Sequence, residues 1–150
     1  GSMGGAITLS LFEHGSAQAS AVRGVFLDSP ALDIGRQSRF AATAMGVPGL
    51  IAEFGFVLTS WRFGLDWAAM DYLSAVDEVT VPTLVLHGDS DTLISVEANR
   101  PVFEALTRQG NATIEIIPGA QHLATWNRDR AGFDRRVSQF LARIAGATAP

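Results

Sequence analysis

Val81-Pro-Thr-Leu-Val-Leu-His-Gly-Asp-Ser-Asp-Thr-Leu-Ile94 is the stretch from which the fold can be read. Its apolar run, Leu84-Val-Leu-His87 with Thr83 before it, is too short for a helix and lies between Pro82 and Gly88. Such a run reads as a buried parallel strand. Open α/β sheets place their chemistry at the carboxyl ends of strands. Here that end delivers two acids, Asp89 and Asp91, each of which is either a turn residue or a catalytic acid.

A second strand-like run, Thr113 to Ile117, is followed by Gly119-Ala-Gln-His122. An Asp after one strand and a His after the next is how a doubly wound sheet supplies a Ser-His-Asp triad, in the chain order Ser, Asp, His. The serine is then expected upstream, on a tight turn into a helix. The chain opens Gly1-Ser2-Met3-Gly4-Gly5-Ala6, which reads as the end of such a turn.

With Leu27-Asp-Ser-Pro30 and Asp71-Tyr-Leu73 added, these pieces resemble the C-terminal portion of an α/β-hydrolase, from the nucleophile elbow onward. Their order and spacing carry the resemblance, which covers nearly the whole chain. It implies Ser2 as nucleophile, His122 as general base and Asp91 as the acid that orients the imidazole. The family pattern Gly-x-x-Asp-x-x-Ile selects Asp91 over Asp89; Asp28, at another strand end, is an outside candidate. The Met3 N–H is the expected oxyanion donor. In the family a second donor comes from a loop after an earlier strand, upstream of residue 1. Losing one such donor costs roughly a hundred- to a thousandfold in rate, so this stretch alone is expected to be a poor catalyst. Gly1 directly precedes Ser2, a departure from Gly-x-Ser-x-Gly, and Gly-Ser-Met also matches a vector remnant before a start Met.

The resemblance further implies a helical cap, or lid, at about 33–75, where aromatic and aliphatic residues lie among glycines. Its apolar surface suits a roof over an acyl group; each aromatic taken singly is as readily a packing residue. The expected fold is α/β, one domain over 1–150, with a mostly parallel sheet of about three strands near 22–27, 82–87 and 112–117. The strand at 112–117 has one polar face and is expected nearer an edge than 82–87. Helices are expected over 4–14, with Ile7, Leu11 and His14 near one stripe that Leu9 and Phe12 widen and Gly15 as its stop, and over 95–109. Pro101 argues for a late start to the second of these. A final helix carries Phe133, Val137, Phe140, Leu141 and Ile144, with Gly146 beyond it and a frayed tail from Ala147. The stretch 41–61 reads as irregular helices. His14 reads as a loop histidine and His87 as a structural one beneath the site.

Hydrophobic content is 47 % and charged content 17 %, with a mean hydropathy of +0.21. A quarter charged is more usual, so apolar faces are expected that this chain cannot cover alone. The strand at 22–27 is expected to present an exposed apolar edge, to be met by the absent N-terminal half or by a second copy in a homodimer. The chain has no Cys, which removes disulfides and thiolate metal sites. Asp89 and Asp91 lack a third ligand, so no metal is expected, and no cofactor. The net charge of −4 gives no reason to expect nucleic acid as a partner. Neither a signal segment nor a membrane span is read, and a cytoplasmic chain is expected. The expected function is hydrolysis of a carboxylic ester or related acyl bond in a small molecule with an apolar group. Peptidase, lactonase and thioesterase chemistry remain open, and the alternative is a non-catalytic fragment or binding module on the same scaffold.

Overall fold

The computed structural model describes residues 1–13 and 17–146. His14, Gly15 and the tail from Ala147 lie outside the described residues. Three strands, β1 (Val25–Asp28), β2 (Thr83–Gly88) and β3 (Ala112–Ile117), form one parallel sheet in the order β1-β2-β3. β2 is central, and all six of its residues are buried. That burial explains its unbroken apolar reading. β3 is an edge, as its polar face led one to expect, and β1 is the other. β1 starts at Val25 rather than near residue 22. A short 3₁₀ turn over Ala19–Ala21 holds Val22 back through its N–H on the Ala19 carbonyl, and pairing begins with the Val25 N–H on Pro82 O.

Helices cover both faces of the sheet. On one face α1 (Met3–Glu13) and α4 (Val96–Arg108) enclose a core of Leu9, Phe12, Val25, Leu27, Val85 and Leu106. On the other, α6 (Arg130–Gly146) lays Phe133, Val137, Phe140 and Ile144 against Leu84 and Leu86. Alternate β2 side chains thus serve opposite cores, as the two-residue strand period requires.

Several sequence expectations need correction. α1 buries Gly5, Ala6, Leu9 and Phe12, and leaves Ile7 and Leu11 exposed. Gly5 lets the helix approach the chain after β1, since a β-carbon there would lie 2.5 Å from Pro30 Cβ. Leu141 is exposed, one position off the stripe that packs, and Gly146 is the last helical residue rather than a stop beyond it. α4 starts at Val96, capped by the Ser95 hydroxyl on the Glu97 N–H, and carries Pro101 inside. The helix gives up the bond Pro101 cannot donate, a loss offset by its buried face.

Between β1 and β2 lie α2 (Ile34–Ala44) and α3 (Gly49–Phe63). Asp33 caps α2 by accepting the Arg36 N–H at 2.6 Å. The 41–61 stretch is regular helix on either side of a short turn; Gly46 and Pro48 fall in that turn, and Gly55 is tolerated inside α3. No residue of α3 is buried. No helix among the described residues is long and apolar enough to cross a membrane.

Candidate active site

The site lies at the carboxyl ends of the three strands. Past β2 and β3 the backbone ladder continues into the turns: the Asp89 N–H reaches Ile117 O at 3.3 Å and the Ser90 N–H reaches Ala120 O at 3.1 Å. Asp89 Oδ1 accepts the Gly119 N–H at 2.7 Å, which stitches the two turns together. A β-carbon at Gly88 would stand 2.0 Å from Ala120 O. Only glycine permits this approach, which brings the His122 loop onto the end of β2.

The next turn aims Asp91. Its Oδ1 accepts the Leu93 and Ile94 N–H groups at 3.0 and 2.8 Å, and its Oδ2 accepts from His122 Nδ1 at 2.8 Å. The carboxylate is fully buried, while the His122 ring is partly open. A bond from Nδ1 to a carboxylate assigns the ring proton to Nδ1 and leaves the Nε2 lone pair free to take a proton. Of the three candidate acids, Asp91 is the one that meets His122. Asp89 is engaged with Gly119, and Asp28 Oδ1 accepts from Thr125 Oγ1 at 2.9 Å.

His87 lies beneath this pair with no exposure. Its Nε2 donates to Ile94 O at 2.8 Å and stands 3.6 Å from Asp91 Oδ2. Burial pushes its pKa below the ordinary value. The Ile94 carbonyl and the Asp91 charge pull it upward and do not overcome the burial. His87 is therefore neutral at neutral pH, with a buried Nδ1 that has no hydrogen-bond partner among the described residues.

Ser2 occupies the turn between a parallel bridge to Pro30 and the start of α1. Its φ is +48°, a left-handed backbone uncommon outside glycine. Its N–H donates to Asp28 O and Ser29 O at 3.2 and 3.0 Å, and its carbonyl accepts the Ala31 N–H at 3.0 Å. The turn abuts the His122 loop, since a β-carbon on Gly1 would lie 2.6 Å from Leu123 Cδ2. Among the described residues, no hydrogen bond joins Ser2 Oγ to His122. Met3 is the first residue of α1, so its N–H has no acceptor within the helix.

Two supporting residues escaped the sequence reading. Gln37 of α2 donates to Leu93 O at 2.6 Å and accepts the Ser95 N–H at 2.9 Å, clamping the loop that holds Asp91. Asn99 of α4 is buried, accepts the Leu32 N–H at 3.0 Å and donates to Pro30 O at 2.7 Å. An Asn among the apolar positions of α4 is a visible signal for a buried polar clamp. Gln37 gives none, because its partners are backbone groups of a distant loop. A cleft of about 470 Å³ between α2, α4 and β3 is lined by Phe40, Ala44, Asp89, Asp91, Val96 and Ile116 among others; neither Ser2 nor His122 lines it. Among the described residues, no group of three or more His, Asp or Glu side chains could hold a metal ion.

Comparison with known proteins agrees with this geometry at the level of fold. A solved structure of a Pyrococcus furiosus esterase superposes with a TM-score of 0.64 at 19 % identity, over 96 % of this chain and 51 % of that one. Est1E from Butyrivibrio proteoclasticus superposes with a TM-score of 0.58 at 18 % identity, over 97 % and 59 %. A non-heme haloperoxidase from Rhodococcus erythropolis is 27 % identical over 100 residues, 58 % of this chain and 36 % of that protein. The chain thus spans about half of the esterase and about a third of the haloperoxidase. The family model described as "Serine aminopeptidase, S33" matches residues 55–129, half of the sequence. By that match, the chain belongs to the serine aminopeptidase S33 family of α/β-hydrolases.

Proposed function

We propose that this chain carries the catalytic residues of a serine hydrolase that cleaves carboxylic esters, or a related acyl bond, in small molecules with an apolar acyl group. The observation that carries the reading is the 2.8 Å bond from His122 Nδ1 to the buried Asp91 carboxylate, with Ser2 in a left-handed turn against the same loop. Ser2 Oγ attacks the carbonyl carbon, and His122 Nε2 takes its proton. Asp91 holds the ring in this tautomer and stabilises the imidazolium. The Met3 N–H donates to the developing oxyanion. As the intermediate collapses, the alkoxide leaves with the proton from His122 and the acyl group stays on Ser2. Water, activated by the same imidazole, then releases the acid. Apo sites often tighten such bonds only with substrate present, so the lack of a Ser2–His122 hydrogen bond among the described residues is compatible with this role.

The α2–α3 segment acts as the lid. Leu50, Phe54, Val57 and Trp61 follow one another at helical spacing on α3 and are all exposed, an apolar surface suited to an acyl chain. β1's outer edge and the exposed Met3, Ile7 and Leu11 of α1 are covered by residues upstream of this stretch or by a second copy.

The test is hydrolysis of p-nitrophenyl esters of increasing acyl length. The expected result is His122- and Ser2-dependent turnover that favours longer chains. The lack of a Ser2–His122 hydrogen bond among the described residues also favours a second reading, a non-catalytic scaffold. No turnover above background, or turnover unchanged in both Ser2→Ala and His122→Ala, would support that reading.

A further inference from the structure

Among the described residues, three that are not glycine hold a positive φ: Ser2 at 48°, Ser29 at 46° and Leu123 at 53°. They are far apart in sequence, yet hydrogen bonds join them. Ser29 is at the centre and has no solvent exposure. Its N–H donates to Leu86 O at 2.9 Å, on the strand that leads to Asp91. Its carbonyl accepts the Ser2 N–H at 3.0 Å. Its Oγ accepts the Leu123 N–H at 3.1 Å, and lies 3.4 Å from Asp28 Oδ1, toward which its own proton can point. Asp28 Oδ1 also accepts from Thr125 Oγ1 at 2.9 Å, tying the same corner to the residues after His122.

We propose that Ser29 is a positioning residue that sets His122 relative to Ser2. This rests on reading those two as base and nucleophile. The Leu123 N–H belongs to the peptide plane that follows His122, so anchoring it holds the His122 backbone in place, from which the Asp91 bond holds the ring. The same residue holds the Ser2 turn through its carbonyl, so one buried group sets both sides of the gap that a proton must cross. The residue type follows from these demands. The position needs a small side chain with an acceptor one bond from Cβ. Left-handed non-glycine residues persist only where their surroundings over-determine them, and they cluster at functional sites. Three of them bonded together beside a His–Asp pair fit that pattern.

The experiment compares the chain with Ser29→Ala, Ser29→Gly and Ser29→Cys. Ala keeps the backbone conformation's cost and loses the acceptor. Gly loses the acceptor and relieves the backbone. Cys keeps a side chain at the position, slightly larger than serine and with a weaker acceptor. Two readouts are taken: the rate of Ser2 labelling by a fluorophosphonate, and NMR of the Leu123 amide and the His122 Nδ1 proton. We expect folded Ser29→Gly to be labelled about ten- to a hundredfold more slowly. We also expect a loss of exchange protection at Leu123, a broadened His122 Nδ1 resonance, and an intermediate effect in Cys. A purely structural role predicts that the relieved Gly variant, once folded, reacts at the parental rate. That result, with Leu123 protection unchanged, overturns the proposal. If the parent chain is not labelled at Ser2, the serine hydrolase reading fails; the NMR comparison still decides whether Ser29 positions His122.

Discussion

The carboxyl end of β2 and the helix α3 are built on opposite terms. Around Asp91, both carboxylate oxygens are engaged, the holding loop is clamped by Gln37, and β2 ends in a glycine at which a β-carbon would meet the Ala120 carbonyl. On α3 nothing is buried, and Leu50 and Trp61 are 88 % and 80 % exposed. One region fixes individual atoms; the other offers apolar area without fixing anything. The proposed function gives this contrast a reason. Proton transfer tolerates little misplacement, whereas the hydrophobic effect is non-directional and scales with area.

Substitutions can test this contrast, and those at the strand ends should act most strongly. Asp91→Asn leaves the turn but removes the charge that orients His122, and should slow Ser2-dependent ester turnover by about 10⁴-fold. A loss below tenfold would show that the His122–Asp91 bond is not part of the chemistry. Gly88→Ala drives a β-carbon into the Ala120 carbonyl and should destabilise the chain by about 1–3 kcal/mol. Urea unfolding gives that number, and a structure of the variant should show the His122 loop displaced.

A smaller effect is expected from pH. Burial holds the folded His87 pKa below its ordinary 6.5, so the unfolded chain takes up the proton first. The stability contributed by a neutral His87 is therefore complete above about pH 6.5 and declines as pH falls from there through the folded pKa. Thermal melts between about pH 7 and pH 5 should show Tm falling, and His87→Gln, which can still donate to Ile94 O, should flatten that fall. The smallest effect on stability belongs to α3. Leu50→Ser and Trp61→Ser should change unfolding free energy by less than about 0.5 kcal/mol, while raising KM for long-chain esters more than for acetate. A large loss of stability would mean that α3 is a packed element and erase the contrast.

The sequence made some of these features legible and hid others for physical reasons. β2 was readable because a strand buried on both faces must be apolar throughout. β3 was readable because its alternation marks an edge. The meeting of Asp91 with His122 followed from their places after successive parallel strands, and the preference over Asp89 came from family spacing, which side-chain type alone could not supply. The inward face of α1 was legible only in part: Leu9 and Phe12 lie on it, but Gly5 and Ala6 are small, and hydrophobicity draws attention to Ile7 and Leu11 instead. Gln37 and Ser29 were not visible as site residues, since each bonds to backbone groups far away in sequence. A pattern of side chains carries no record of such partners. The left-handed backbone at Ser2, Ser29 and Leu123 was equally hidden, because it is imposed by tertiary contacts on residues that do not favour it.

The most direct test is to label the chain with a fluorophosphonate and identify the modified peptide by mass spectrometry, alongside His122→Ala. The account predicts a single adduct on Ser2 that disappears when His122 is removed. An adduct on another serine, or Ser2 labelling at the same rate without His122, would contradict it.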